Sequence, residues 1–390
     1  MNYEKVIPEK ISSLKPSGIR KFFDIVSTMK DTVSLTIGEP DFVTPWHIRA
    51  AGIESLEKGK TYYTSNSGLV SLREAIAEYL KRRFSLSYDP GSEIVVTVGG
   101  SEAIDVTMRA LVAPGDEVII PEPAFVCYEP ICRLCGGEPV IINTKEEDRF
   151  KLTADALRAA ITPKTKLLVL PYPNNPTGAI MEKADLEAIA EVLRGTDITV
   201  LSDEIYAELT YGQDHVSAAS VDGMRERTVL ASGFSKAFAM TGWRLGYIAA
   251  PREIAKQLLK IHQYALMCAP TASQFAAIEA MRSGDGDVET MRAEYNRRRR
   301  FIVGGLQTMG IDCFMPQGTF YVFPNISKYG MGSDEFCERL LKESKVAIVP
   351  GTAFGESGEG FARISYAYSV EHIAVALDRI DSFIKKILRA

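Results

Sequence analysis

A lysine in a loop of small residues is the strongest candidate for chemistry in this chain. Lys236 lies in segment 233–246, which reads Gly-Phe-Ser-Lys-Ala-Phe-Ala-Met-Thr-Gly-Trp-Arg-Leu-Gly, shortly after the apolar run 227–230. A strongly hydrated ammonium seldom lies where a buried strand ends, but an amine that forms a Schiff base with a bound aldehyde suits such a place. Ser235 and Arg244 supply a hydroxyl and a guanidinium that could bind phosphate. The segment predicts a site for a phosphorylated aldehyde, and a surface-loop lysine beside an unrelated arginine is the alternative.

A second phosphate site is indicated where the run 94–98 ends in two glycines. The chain continues Gly-Gly-Ser-Glu-Ala from 99 to 103, and apolar residues at helical spacing follow. Free backbone amides and the positive end of a helix favour an anion there. Ser101, Glu102 and Ala103 are therefore candidates to donate backbone amides, and Ser101 also its hydroxyl. A serine-capped glycine turn that only starts a helix is the alternative.

Three further polar side chains follow other apolar runs. Asp203 comes after the run 198–201, where its carboxylate could keep a pyridine nitrogen protonated and so make the ring an electron sink. Tyr206, one helical turn on, could donate to a phenolic oxygen of the same ring. Asn175, in a rigid Pro-Asn-Asn-Pro-Thr-Gly turn, could donate to that oxygen as well. A helix N-cap at Asp203 and a plain tight turn at Asn175 are the alternatives.

The elements that must position these side chains are parallel strands. Short β-branched runs alternate with helix-patterned segments from about residue 93 to 250, which is typical of strands joined by crossover helices. Because ligands bind beyond the carboxyl ends of such strands, the candidate residues should meet at one edge of the sheet. The predicted strands are 94–98, 117–120, 166–170, 198–201 and 227–230.

The pattern predicts an α/β fold with two domains. A chain of 390 residues, 46% of them hydrophobic, is too long for one ordinary core. Residues 45–290 are expected to form a large domain with a mostly parallel central sheet flanked by helices. Residues 291–390 are expected to form a smaller α+β domain with a long helix, short strands near 319–323 and 347–349, and a closing helix at 370–388. Residues 1–44 are expected to form an arm that joins the small domain.

Taken together, these segments resemble the class I aminotransferases of pyridoxal-phosphate fold type I. The resemblance covers almost the whole chain, from Ile-Gly-Glu-Pro-Asp-Phe at 37–42 to Ala-Arg-Ile-Ser-Tyr-Ala at 362–367, and segment 233–246 matches the family's cofactor-attachment pattern throughout. It implies pyridoxal 5'-phosphate as the cofactor, bound as a Schiff base on Lys236, which also moves the proton. Asp203 would pair with the pyridine nitrogen, and Tyr206 and Asn175 would bond the phenolic oxygen.

The resemblance implies further contacts. Phe125 would stack on the cofactor ring, Arg363 would clamp the substrate α-carboxylate, and the backbone of Gly38 would help from the other side. Asn175 is expected to bind the substrate as well as the phenolic oxygen. Tyr63 resembles the tyrosine that reaches the phosphate of the neighbouring active site, with Tyr62 as the alternative by a one-residue slip. A homodimer is therefore expected.

The expected reaction moves the amino group of an amino acid to a 2-oxo acid such as 2-oxoglutarate. The opening segment 17–23 and the lysine segment look most like prokaryotic aromatic-amino-acid members, so the specificity is expected to be aromatic-leaning, with aspartate as the other candidate. Two departures from the family pattern are Gly233, where a familiar member has a serine that contacts phosphate, and Ser101, where some aspartate-using members have a lysine. A carbon–sulfur β-lyase of the same fold stays open as an alternative. A cofactor-sensing transcription regulator is a second alternative, and such a protein would be expected to carry a DNA-binding module ahead of the fold.

Several other classes of protein and site are excluded by composition. A net charge of −5 with mixed signs gives no footprint for nucleic acid, and no apolar stretch is long enough for a membrane span. The N-terminus lacks the apolar region of a signal peptide, so a cytoplasmic protein is expected. Cys132 and Cys135 have the spacing of half a zinc site, but no second pair completes it, and no metal is expected. The run 297–300 of four arginines reads as a solvated or inter-domain helix face.

Overall fold

The computed structural model describes residues 1, 3–14, 16, 18 and 31–389. Most of segment 17–23, which contributed to the aromatic resemblance, lies outside the described residues. Within the described ranges, no helix has both the length and the apolarity needed to cross a membrane.

A seven-stranded sheet forms the centre of the larger unit, in the order β2-β8-β7-β6-β5-β3-β4. Strand β8 runs antiparallel to both of its neighbours, and the other pairings are parallel. The fold class expected from the sequence is thereby confirmed. The strands of this sheet are β2 (Ile94–Thr97), β3 (Glu117–Glu122), β4 (Glu138–Asn143), β5 (Thr165–Leu170), β6 (Thr199–Asp203), β7 (Thr228–Gly233) and β8 (Gly246–Ala249).

The sheet is buried on both faces because its strands are apolar at successive positions. Along β5, Leu168 and Leu170 belong to one hydrophobic core and Leu167 and Val169 to another, so alternate side chains point to opposite faces. All five predicted strands are present. Strands β4 and β8 were not predicted: most side chains of β4 are only partly buried or exposed, and β8 has only four residues.

Helices cover these faces and account for most of the regular secondary structure of the described residues. The helices are α1 (Tyr3–Val6), α2 (Glu9–Ser12), α3 (Trp46–Glu57), α4 (Val70–Phe84), α5 (Gly99–Leu111), α6 (Tyr128–Cys135), α7 (Ala154–Ala160), α8 (Lys183–Leu193), α9 (Arg252–Ala265), α10 (Thr271–Ser283), α11 (Asp285–Thr308), α12 (Ser333–Ser344) and α13 (Val370–Ile387). Helix α5 packs on β7 and β8 and points its N-terminus toward the carboxyl ends of the parallel strands. Cys132 and Cys135 lie on α6, and no cluster of potential metal ligands occurs in the described part of the chain.

Two small sheets belong to the C-terminal part of the chain. One is antiparallel, in the order β11-β12-β9, and the other pairs β1 of the arm with β10 in parallel. The β1–β10 pairing supports the proposal that the arm joins the smaller domain. These strands are β1 (Val33–Ser34), β9 (Tyr321–Val322), β10 (Val346–Ala347), β11 (Val349–Pro350) and β12 (Ala362–Ser365).

Helix α11 links the two parts of the chain. It is continuous across residue 290, so the domain boundary proposed at that residue lies within a helix. The run of arginines lies on this helix, where Arg298 is buried and Nη1 donates to both carboxylate oxygens of Asp41 at 2.8 Å. Arg297 instead pairs with Glu294 at the surface. Arg298 therefore connects the arm to α11, whereas Arg297 faces solvent.

Candidate active site

A cavity of about 370 Å³ opens at the carboxyl ends of the parallel strands. Its size is within the range of small-molecule sites. Of the residues predicted for the site, ten line it, namely Gly38, Ser101, Phe125, Asn175, Asp203, Tyr206, Ser235, Lys236, Arg244 and Arg363. Glu102, Ala103 and Tyr63 do not. The sequence prediction that strand ends bring the candidate side chains together therefore holds for most of the set.

Lys236 lies three residues after the end of β7, with its amine in the cavity. Its Nζ donates to the carbonyl of Gly38 at 2.5 Å. Burial, together with the positive charge of Arg363, lowers the pKa of Lys236 to about 8. A lowered pKa makes the neutral, nucleophilic amine more abundant near neutral pH, which suits a lysine that attacks an aldehyde.

Asp203 is the last residue of β6, and its carboxylate is buried at the cavity wall. The hydroxyl of Tyr128 donates to Oδ2 at 2.7 Å, and the backbone N–H of Ile205 donates to Oδ1 at 3.2 Å. Burial raises the pKa of Asp203, whereas these two hydrogen bonds lower it. A buried carboxylate held by two donors can accept a hydrogen bond from a cationic ring N–H, which would also relieve the cost of its burial.

Tyr206 and Asn175 approach the cavity from two different turns. The hydroxyl of Tyr206 lies 2.9 Å from the hydroxyl of Tyr321, and both rings are buried. The side-chain oxygen of Asn175 accepts from Nη1 of Arg363 at 3.0 Å. That contact leaves the amide N–H groups of Asn175 as donors, as a bond to a phenolic oxygen requires.

Arg363 is carried by β12, whose register places it opposite Val349 of β11. It is fully buried, and its Nη2 donates to the carbonyl of Thr36 at 2.6 Å. The guanidinium carbon lies 4.4 Å from the ring centre of Tyr321 and 4.8 Å from that of Phe354. Its Nε has no hydrogen-bond partner among the described residues. Because a buried donor without a partner is costly, this arginine is suited to bind an anion that enters the cavity.

The N-terminus of α5 forms the end of the cavity that is suited to bind an anion. The helix begins at Gly99, so the unpaired amides are those of its first turn, and Gly100 and Ser101 line the cavity. Gly99 has φ +79°, and a Cβ there would lie 2.7 Å from Nη2 of Arg244. Arg244 therefore packs directly against the start of the helix, where its charge adds to the helix dipole.

Glu102 and Ala103 lie beyond Gly100 and Ser101 on α5 and do not line the cavity, contrary to the sequence prediction. The carboxylate of Glu102 turns away from the cavity, where it accepts the backbone N–H of Val98 and lies 2.5 Å from Nδ1 of the buried His262. Ala103 is completely buried. The sequence predicted a helix that begins after the paired glycines, whereas the helix begins at Gly99, and this earlier start moves the free amides toward Gly100 and Ser101.

Tyr63 lies away from this cavity. Its side chain is 74% exposed, and that of Tyr62 is 59% exposed. Exposure of this kind is compatible with a role in a neighbouring subunit, and the choice between the two tyrosines stays a prediction.

Among the cavity residues that the sequence did not predict, four have polar side chains: Tyr128, Tyr321, Glu39 and Thr241. Tyr128 begins α6 and Tyr321 begins β9, and neither position carries a local signal of function. The hydroxyl of Thr241 donates to Glu39 at 3.2 Å, which links the lysine segment to the arm. Only the contacts between segments distant in sequence reveal them.

The residues present fit pyridoxal 5'-phosphate. An anion-binding helix start with Arg244 and Ser235 lies at one end, the Lys236 amine lies in the cavity, and a buried carboxylate is available for the ring nitrogen. Phe125 supplies an aromatic wall. No part of this set opposes the charge of the group that it would hold.

Comparison with known proteins points to the same chemistry. The family model for aminotransferase class I and II matches residues 30–380. The chain is 47% identical to an aspartate aminotransferase of Pyrococcus abyssi and 44% identical to aromatic-amino-acid aminotransferase 2 of Thermococcus litoralis, in both cases over 97% of this chain and 98% of the relative. The crystal structure of an aromatic aminotransferase from Pyrococcus horikoshii superimposes with a TM-score of 0.89 at 46% identity, over 94% of this chain and 99% of that one. These names give no support to the carbon–sulfur lyase alternative.

Proposed function

The chain belongs to the class I and II aminotransferase family, and we propose that it transfers the amino group of an aromatic amino acid to a 2-oxo acid such as 2-oxoglutarate. It is a pyridoxal-phosphate-dependent aminotransferase, as its relatives are. We propose the roles of the individual residues and the identity of the amino acid.

Four side chains and the backbone amides at the start of α5 would hold the cofactor in a fixed orientation. Ser235, Arg244 and the first-turn amides of α5, that of Ser101 included, would bind the phosphate, Phe125 would pack on the ring, and Asp203 would accept from the ring nitrogen. When bound, pyridoxal phosphate acts as an electron sink for the carbanion that forms when the substrate Cα proton leaves. Asp203 supports that role because its buried negative charge favours the protonated ring nitrogen.

Five other groups would act on the proton, on the substrate and on the phenolic oxygen of the cofactor. Lys236 Nζ attaches the cofactor and then carries the proton to and from the substrate Cα, for which its lowered pKa is suited. Arg363 binds the α-carboxylate through its planar fork, with the backbone of Gly38 on the other side. Tyr206 and Asn175 donate to the phenolic oxygen of the cofactor.

The charge of the cavity wall carries the proposed substrate preference. Among the described lining residues the lysines and arginines are Lys236, Arg244 and Arg363, and the proposed roles engage all of them. Glu39 of the arm also lines the cavity, and its carboxylate would repel a second carboxylate on the substrate side chain. Aromatic and aliphatic walls at Phe125, Ile104, Ile205 and Tyr321 favour an uncharged side chain instead.

We also propose a homodimer with Tyr63 contacting the phosphate site of the partner. Exposed large apolar side chains support this proposal, because they are concentrated in two segments that meet where Asn66 donates to the carbonyl of Met267 at 2.8 Å, and contiguous exposed apolar surface is typical of interfaces. The exposed apolar side chains of these segments are Val43, Trp46, Ile53, Leu56, Tyr62, Tyr63, Val70, Tyr264, Leu266 and Met267. Sedimentation equilibrium should give twice the mass of the chain, and Tyr63→Phe should weaken cofactor retention more than Tyr62→Phe. A monomer with full activity would refute this part of the proposal.

Absorbance spectroscopy tests the cofactor assignment. The purified protein, supplied with pyridoxal phosphate, should show a visible-edge band that shifts when phenylalanine is added. Lys236→Ala should lack the lysine-linked band, whereas Lys260→Ala, an exposed lysine of α9, should keep it. No band in the wild type would refute the proposed function.

Steady-state kinetics tests the substrate. We expect kcat/KM for phenylalanine and tyrosine to exceed that for aspartate with 2-oxoglutarate as acceptor. A large preference for aspartate would refute the aromatic assignment while leaving the aminotransferase assignment in place. Oxaloacetate and pyruvate in place of 2-oxoglutarate would then identify the acceptor.

A further inference from the structure

Tyr321 contacts three of the residues assigned above, and its hydroxyl has no role so far beyond forming part of the cavity wall. We propose that Tyr321 is a positioning residue of the reaction, which donates a hydrogen bond to Tyr206 and thereby strengthens Tyr206 as a donor to the cofactor's phenolic oxygen. This inference rests on the proposed function, because it takes Tyr206 to face that oxygen.

The contact between the two tyrosines is direct and buried. Their hydroxyl oxygens lie 2.9 Å apart, and their rings meet edge to face with centroids at 5.9 Å. Within the described ranges, each hydroxyl has the other as its hydrogen-bond partner. Tyr206 follows β6 of the large sheet and Tyr321 begins β9 of the small antiparallel sheet, so the bond joins two separate sheets.

Counting protons sets the direction of this hydrogen bond. Each phenol has one proton to donate and can also accept. If Tyr206 donates its proton into the cavity, the bond between the hydroxyls requires that Tyr321 be the donor and Tyr206 the acceptor. A phenol that accepts a hydrogen bond becomes a stronger donor through polarisation of the chain of bonds. Tyr321 can therefore act on the cofactor through Tyr206.

Packing keeps Tyr321 in this position. The guanidinium of Arg363 lies over its ring at 4.4 Å, a cation–π distance. On another side, its hydroxyl lies against Gly38, where an added Cβ would overlap the hydroxyl oxygen. Burial raises the pKa of Tyr321 above its ordinary value, so the hydroxyl keeps its proton at neutral pH. The ring of Tyr321 is thus held by Arg363, and its hydroxyl is held by Tyr206 and Gly38.

The pH dependence of the cofactor's visible absorbance tests the proposal. The visible absorbance changes when the bound cofactor loses a proton, and that loss leaves more negative charge on the cofactor's phenolic oxygen. A hydrogen-bond donor at that oxygen therefore favours the deprotonated cofactor. Tyr321→Phe keeps the ring over Arg363 and removes the hydroxyl. It should raise the pH midpoint by about half a unit, which corresponds to loss of part of one hydrogen bond.

A double-mutant cycle separates action through Tyr206 from a general structural effect. Tyr206→Phe should raise the midpoint further, and adding Tyr321→Phe to it should change nothing. Replacement of Tyr321 by 3-fluorotyrosine, a more acidic phenol, should lower the midpoint. Tyr366→Phe is the matched control, because this buried hydroxyl donates to the carbonyl of Thr319 and does not line the cavity.

The outcomes distinguish this inference from the proposed function. If the wild type shows a cofactor band and Tyr321→Phe leaves its midpoint unchanged, the inference is wrong and the proposed function stands. A shift that persists in the Tyr206→Phe background would also overturn it. Absence of any cofactor band in the wild type would instead refute the proposed function.

Discussion

Replacing Arg363 by lysine should weaken catalysis with amino acids by a definite factor. The lysine keeps a positive charge but has no planar fork, so it cannot make two parallel hydrogen bonds to a carboxylate. In the structure one guanidinium nitrogen is held by Thr36 at 2.6 Å and another by Asn175 at 3.0 Å, so the orientation of the fork is set before substrate binds. Loss of one charged hydrogen bond is worth about 1.5–3 kcal/mol, which is roughly a 10- to 200-fold fall in kcat/KM.

The assay is the single-turnover half-reaction of the reconstituted enzyme with phenylalanine, followed by absorbance. The same half-reaction with 2-phenylethylamine, which has no carboxylate, should be nearly unaffected by the substitution. Arg227→Lys is the matched control, because Arg227 donates to the carbonyls of Gly223, Thr196 and Ile198 and is not among the residues that line the cavity. It should lower thermal stability without changing kcat/KM. A fall of less than about threefold for Arg363→Lys, or an equal fall for both substrates, would refute the carboxylate assignment.

Three further substitutions or conditions have expected outcomes. The pKa of Lys236, lowered to about 8, means that the neutral amine increases as the pH rises through that value, so capture of pyridoxal phosphate by the apoprotein should accelerate in stopped-flow measurements; a rate that falls with pH would contradict this. Asp203→Asn should lower kcat by roughly tenfold or more, because a neutral amide no longer favours a protonated ring nitrogen; unchanged kcat would count against its role. Gly38→Ala should lower the thermal midpoint and the activity, because its Cβ would overlap the Tyr321 hydroxyl, at a cost of about 1–3 kcal/mol. Gly304→Ala, on an open helix face, should be neutral or stabilising, and equal behaviour of the two would refute the packing argument.

The sequence was sufficient for the strands that carry Asp203 and Lys236. Each lies in or just after a run of apolar residues, and that run is a local property of the chain. The same reasoning failed for β8, which is short and runs antiparallel to its neighbours. It also placed the start of α5 too late, because paired glycines mark a turn without fixing which of them begins the helix.

The parts of the site that local sequence could not predict depend on distant contacts. Arg363 was identified through the family resemblance, since its partners Thr36 and Asn175 lie 327 and 188 positions away in sequence. Tyr321 had no comparable signal, because a tyrosine that begins a short strand is equally typical of a core. Its significance is visible only when Tyr206, Arg363 and Gly38 are brought around it.

The short arm segment that follows β1 supplies acceptors to two of the cations that line the cavity. The carbonyl of Thr36 accepts from Arg363 and the carbonyl of Gly38 accepts from Lys236, while β1 itself pairs with β10. Attachment of a cofactor to Lys236 would convert the amine that donates to the carbonyl of Gly38, and the arm would then lose one of its hydrogen bonds to the larger unit. By reciprocity, displacing the arm takes away an acceptor that favours the charged amine, and Lys236 becomes a weaker base. The pKa of Lys236 and the position of the arm are thus thermodynamically linked.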